Sequence, residues 1–275
     1  MHYKIFSIKY KIVVLNKISV VIITFNEARN ILRCLTSVCA VADEIVVVDS
    51  FSTDETEAIC TDFVVANDIA LKFVNRKFEG YGAQKQHATT YASHNWLLSL
   101  DADEALSPEL CAAILTFKHS KNGLANAYTF NRLTNYCGSW IRHCGWYPDA
   151  KIRLWQTEKA AWTAETVHET VQILSKTSKI AHLQGDLLHY SFATHAELVA
   201  QIDKFSTIAA QARFEKGETA SYFKIFYKTA FKFFRNYVLK LGFLDGKNGL
   251  IISFWTAKET FWRYGKLREL HRKGL

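Results

Sequence analysis

No G-x-G-x-x-G follows the first apolar run of this 275-residue chain, and no G-x-x-x-x-G-K-[ST] occurs anywhere in it. Without either glycine-rich phosphate loop, a dinucleotide enzyme of the usual type and a P-loop NTPase are both disfavoured. The six cysteines (34, 39, 60, 111, 137 and 144) form no C-x-x-C and no zinc spacing. They read as reduced structural thiols of a cytoplasmic protein. No run reaches the roughly 18 uncharged apolar residues that a transmembrane helix needs. Residues 1–17 are basic and partly apolar, but Lys9, Lys11 and Lys17 interrupt them and no small-residue cleavage site follows. They are therefore expected to be an N-terminal extension and not a signal peptide. No segment has the composition of disorder, and 49% hydrophobic residues suffice for the core of one large domain.

The net charge of +8 is uneven. Tyr222 to Leu275 carries 12 Lys and Arg against 3 Asp and Glu, leaving 22 against 23 for residues 1–221. The basicity thus belongs to the tail and says little about the main body.

What the main body does have is a series of strand-like runs that end in acids. Ile18 to Thr24 is a continuous apolar, largely β-branched run, as in a central parallel strand, and it leads into Phe25-Asn26-Glu27. Asn26 is placed to cap the following helix. Glu44 to Asp49 repeats the pattern, with a helix start expected at Ser52, Thr53 or Asp54. A short strand over 71–74, a helix from Gly80 to about Ser93, and the run Trp96 to Asp101 complete an alternation of strands and helices. That alternation predicts a doubly wound α/β sheet. Ser107-Pro108-Glu109 starts another helix. Strands over 125–133, 151–155, 166–171 and 180–190 then extend the sheet in mixed or antiparallel fashion.

Asp101-Ala102-Asp103-Glu104 closes the fourth strand at the sheet edge where α/β folds bind ligands. In an extended chain, Asp101 and Asp103 point the same way, and a hard divalent cation carrying a nucleoside diphosphate would relieve their repulsion. A polar strand-to-helix turn fits the same residues. Asp49 suits a ribose hydroxyl or base N–H, or else a simple cap. Lys85 and Arg153 suit phosphate neutralisation or a solvated surface. Trp140, Trp146, Trp155 and Trp162 suit either a sugar-binding surface or the core.

Taken together, Ser19 to Glu27, Val46 to Asp54 and Leu98 to Glu104 resemble the inverting family 2 nucleotide-sugar glycosyltransferases, which have a GT-A fold. Gly145 to Asp149, Arg153 to Trp155, Val167 to Glu169, Gly242 to Gly246 and Gly249-Leu250 extend the likeness over roughly residues 18–265. They look like the lipopolysaccharide core subgroup that adds β-linked glucose to inner-core heptose.

The resemblance implies a UDP-sugar donor, Mg²⁺ or Mn²⁺, a lipid-anchored saccharide acceptor, and work at the cytoplasmic face of a Gram-negative inner membrane. It implies that Thr24, Asn26 and Glu27 border the nucleotide, that Asp49 binds uridine, and that Asp101 and Asp103 hold metal and diphosphate. It places a third metal ligand at His189, where a satisfied core histidine is the alternative. It places the catalytic base at Glu169, with Asp149 and Glu165 as competitors. An inverting displacement needs such a base on the acceptor hydroxyl and a cation on the leaving group. Transfer to a polyprenyl phosphate would need no base. A membrane-surface module with a decayed site would need neither.

The expected organisation is an extension over 1–17, a GT-A domain over 18–200, and a basic, aromatic helical appendage over 201–275. Lys224, Lys228, Lys232 and Arg235 share one face of a helix in that appendage, with Phe226, Ala230, Phe233, Phe234, Tyr237 and Leu241 opposite. This pattern suits an anionic membrane surface, or an apolar face packed on the catalytic domain. No nucleic-acid-binding motif accompanies the charge.

Overall fold

The computed structural model describes residues 15–120, 125–163 and 169–274, which divide into two compact units. The first takes the chain to Phe130 and again from Lys151 to Leu187. The second takes Asn131–Ala150 and Leu188 onward.

In the first unit, β1 (Ile18–Thr24), α1 (Ile31–Val38), β2 (Glu44–Asp49), α2 (Thr56–Asn67), β3 (Ala70–Asn75), α3 (Tyr81–Thr89) and β4 (Trp96–Asp101) alternate as predicted. The short β5 (Glu104–Leu106) and α4 (Pro108–His119) follow. Ser107 caps α4 by accepting from the Leu110 N–H at 3.2 Å, with Pro108 at the first helical position. Along the chain then come β6 (Ala127–Tyr136), β7 (Ser139–Ile141), β8 (Ala150–Gln156), β9 (Ala160–Trp162), β10 (Val171–Ile173) and β11 (Ile180–Phe192), of which β7 belongs to the second unit and β6, β8 and β11 have residues in both. The sheet order is β3-β2-β1-β4-β8-β6-β11-β5, and β9 pairs separately with β10.

Strands β1 to β4 run parallel, whereas β8 lies antiparallel to β4. The mixed extension is therefore present. Burial on both faces explains the β-branched runs: Ile18, Val20 and Ile22 enter one core cluster, and Val21, Val46 and Val48 the other. Register decides what meets at the edge. Thr24 pairs with Asp49, and Ile23 with Asp101, so three strands end level.

Three local expectations need correction. The N-cap of α2 is Glu55, which makes no side-chain cap, and not Ser52, Thr53 or Asp54. Asn26 does not cap α1; Asn30 occupies that position, and Asn26 takes a left-handed φ of 54°. The chain is not extended through Asp103 either, because β4 ends at Asp101 and a turn follows. The strand expected over 166–171 falls partly on 164–168, outside the described residues.

The second unit has its own core, including Tyr136, Ile141, Phe192, Leu198 and Ile252. Its helices are α5 (His195–Glu215), α6 (Tyr222–Phe234) and α7 (Gly246–Lys273). A π turn (Arg235–Leu239) and a 3₁₀ turn (Gly242–Asp245) join the last two. A Cβ on Gly249 would sit 1.8 Å from the Gly242 carbonyl oxygen, so that crossing requires glycine.

Candidate active site

Two loops at the carboxyl edge are laced together. Asn26 Oδ1 accepts from the Thr53 N–H at 2.8 Å, while the Asn26 N–H donates to Ser52 Oγ at 2.7 Å. The Glu27 N–H donates to Thr56 Oγ1 at 2.9 Å and the Ala28 N–H to Asp54 Oδ2 at 3.0 Å. Asp49 is buried beneath them. It accepts from Thr24 Oγ1 and Ser52 Oγ, each at 2.6 Å, and from the Ser52 N–H at 2.6 Å. Asn26 and Glu27 are thus tied to the loop after β2, and Asp49, buried with Thr24 beneath them, shapes that loop.

The second group lies at the end of β4. Lys85 Nζ stands 2.8 Å from Asp101 and 3.3 Å from Glu169 Oε1. Its neighbours on α3 pin the helix on both sides: Gln84 Nε2 donates to Ser50 Oγ at 3.2 Å, and Gln86 Oε1 accepts from the Trp162 N–H at 2.9 Å. Arg153, on β8, places Nη2 2.7 Å from Glu104 and 3.3 Å from Asp101. Glu104 in turn accepts from the Asp101 N–H at 2.9 Å. The Trp162 ring lies beside both cations, 4.8 Å from Lys85 Nζ and 5.6 Å from the Arg153 Cζ. Lys85 and Arg153 are 4% and 3% exposed, so neither is a solvated surface charge.

The sequence offered little notice of Glu104 and Trp162. Glu104 adjoins the Asp-x-Asp pair, but only burial marks it as the partner of Arg153. Trp162 carried no signal beyond its residue type.

Carboxylates outnumber cations here. Burial pushes the Glu27 carboxyl up, and Asp103 and Asp101 push it further, against the opposing pull of Asn30 and Arg29. Burial pushes the Cys34 thiol well up, helped by Glu104, Asp103 and Asp101. Burial works against the charge of Arg153, yet Glu104 and Asp101 more than compensate and raise its pKa.

Among the described residues, no group of three or more His, Cys, Asp or Glu is arranged to hold a metal ion. Asp103 and Asp101 alone suit a hard cation that takes its remaining oxygens from a diphosphate and water, as Mg²⁺ commonly does. His189 lies in the second unit, with Ser191 Oγ 2.7 Å from its Nδ1. Asp149, also in that unit, pairs with Arg132 at 2.9 Å. Glu165 and His168 lie outside the described residues.

Residues 19–178 match the profile described as Glycosyl transferase family 2, well over half of the chain. The chain belongs to that family. It is a glycosyltransferase, and its mixed sheet flanked by helices is the family's GT-A fold. It is 32% identical to an uncharacterized glycosyltransferase of Rickettsia bellii, over 92% of this chain and 87% of that protein. It is 27% identical to the lipopolysaccharide core biosynthesis glycosyltransferase LpsC of Rhizobium meliloti, over 90% of this chain and 93% of that one. A solved mannosyltransferase from Pyrobaculum calidifontis, in complex with GDP-Man and Mn²⁺, is similar at 14% identity and a TM-score of 0.49, over 86% of this chain and 73% of that chain.

Proposed function

We propose that this glycosyltransferase inverts configuration, depends on a divalent metal, and moves a hexose from a UDP-sugar to an inner-core heptose of lipopolysaccharide. Glucose is the hexose proposed. The observation that carries the mechanism is the shared cation: Lys85 contacts both Asp101, of the Asp-x-Asp pair, and Glu169. A leaving-group anchor and a base are both needed for one in-line displacement, and they lie within a single side chain's reach.

Glu169 is the proposed base. Its carboxylate takes the proton of the acceptor hydroxyl as that oxygen bonds to the anomeric carbon. The bond from that carbon to the diphosphate breaks, and the nucleoside diphosphate leaves with the electron pair. Asp103, with Asp101, would hold Mg²⁺ or Mn²⁺, which when bound supplies Lewis-acid neutralisation of the leaving group. Lys85 keeps Asp101 and Glu169 from repelling each other, and Trp162 packs beside it. Thr24, Asn26, Glu27 and Asp49 form the nucleotide side of the pocket in this reading. A lipopolysaccharide-core acceptor is supported by the likeness to LpsC. In this reading the acceptor is lipid-anchored and the transfer takes place at the cytoplasmic face of a Gram-negative inner membrane.

The test pairs binding with turnover. Glu169→Gln should keep UDP affinity, read by calorimetry with Mn²⁺, and lose roughly a hundred- to ten-thousandfold in kcat. Unchanged turnover would remove the base from Glu169 and favour an acceptor that is already ionised, such as a polyprenyl phosphate. Absence of UDP binding, with no effect of Asp103→Ala, would indicate a decayed site.

A further inference from the structure

Helix α6 turns one row of rings away from its own unit. Ile225 is buried with Tyr264 and Leu267 of α7, and Asn236, just beyond α6, donates to Thr256 Oγ1 of α7 at 2.8 Å. The opposite side carries Phe223, Tyr227, Phe231, Phe234 and, through the π turn, Val238 and Leu241. Their spacings of 4, 4, 3, 4 and 3 keep them on one stripe. Phe223 is 80% exposed and Tyr227 54% exposed, and Tyr227 stacks on both Phe223 and Phe231, so the rings form a continuous exposed column. Leu244, in the 3₁₀ turn that follows, is also exposed. An apolar face of this extent marks an interaction site.

Charge identifies the occupant. Between Tyr222 and Leu244 stand Lys224, Lys228, Lys232, Arg235 and Lys240, and no Asp or Glu. Lys228 and Arg235 are exposed along one flank of the stripe. A second copy of the chain meeting this face across a two-fold axis would set five cations against five. No described helix is long and apolar enough to cross a membrane. We propose that α6 and the turns after it are a monotopic docking element for an anionic phospholipid surface. The ring column enters the headgroup–acyl boundary, and Lys228 and Arg235 meet lipid phosphates. Nothing in this depends on which sugar is moved or where.

The experiment is flotation of the full-length protein with vesicles of phosphatidylcholine alone and with roughly one-third phosphatidylglycerol. Binding should require the anionic lipid and weaken with added salt. Phe223→Asp with Tyr227→Asp should lower partitioning roughly tenfold or more. Lys228→Glu with Arg235→Glu should erase the preference for phosphatidylglycerol. These side chains are exposed, so circular dichroism and UDP calorimetry should match the parent protein, which separates this test from that of the catalytic reading. Equal binding to both vesicles, or unchanged binding of the variants, overturns the proposal. So does absence of vesicle binding together with a concentration-dependent doubling of mass that the same variants abolish, because the occupant is then a second copy.

Discussion

Arg153 Nη2 and Glu104 Oε1 lie 2.7 Å apart, with both side chains almost wholly withdrawn from solvent. The same guanidinium nitrogen reaches Asp101 at 3.3 Å, and Glu104 also accepts from the Asp101 N–H. The pair therefore holds Asp101 at two points, Glu104 at its backbone N–H and Arg153 at its carboxylate. Its Nε and Nη1 have no hydrogen-bond partner among the described residues, so Arg153 depends on Glu104 and Asp101 for its compensation.

Removing one member should leave the other an under-compensated buried charge. Glu104→Leu and Arg153→Met are each expected to lower stability by about 3–5 kcal/mol in denaturant melts. The double variant should lose clearly less than the two losses combined, because neither charge remains. Additive losses would mean that the two residues do not act as a pair.

Lys85 connects the two halves of the proposed chemistry, so its loss should be felt in binding and in turnover. Lys85→Met leaves Asp101 to Arg153 alone and frees Glu169 from its cation. A lost charge-assisted contact of about 1.5–3 kcal/mol corresponds to roughly ten- to a hundredfold weaker UDP binding by calorimetry in the presence of Mg²⁺. Lys85→Arg should not restore it, because a planar fork cannot replace a compact ammonium between Asp101 and Glu169.

Glu27 is expected to oppose stability and support binding. Burial, then Asp103 and Asp101, raise its folded-state pKa above 4.5. The folded protein therefore holds this proton to higher pH than the unfolded chain does. Its contribution to stability is fully present below 4.5 and is lost as pH rises through the raised value. Glu27→Gln should flatten that decline and raise Tm near neutral pH. The same change removes a negative charge near Asp103 and should weaken joint binding of Mn²⁺ and UDP. A variant that is less stable at neutral pH, or that binds them more tightly, would contradict this assignment.

The parallel core was legible because burial on both faces selects uninterrupted runs such as Ile18–Thr24 and Glu44–Asp49. The start of α4 was legible because Ser107-Pro108 is both a cap and a fixed φ. The Asp-x-Asp edge was legible as a strand end, but whether the chain stayed extended through Asp103 or turned after Asp101 was left open. A period of two extrapolates strand geometry past Asp101, and the Glu104 hydrogen bond to the Asp101 N–H ends it. Lys85 and Arg153 remained undecided for a physical reason. Whether a cation is solvated or buried depends on partners 16 and 49 positions away, which no local pattern encodes. In α6 the wheel located an apolar side, but which side faced α7 depended on Ile225 and Asn236.

The proposed reaction is transfer of a hexose from a UDP-sugar to a core saccharide through Glu169. Its most direct measurement is the product mass after the protein is incubated with UDP-glucose, other UDP-hexoses and truncated core lipopolysaccharide in the presence of Mn²⁺. A single added hexose, strongest with UDP-glucose and absent with Glu169→Gln, is the expected result. No mass increment with any UDP-hexose, or the same increment with Glu169→Gln, would contradict it.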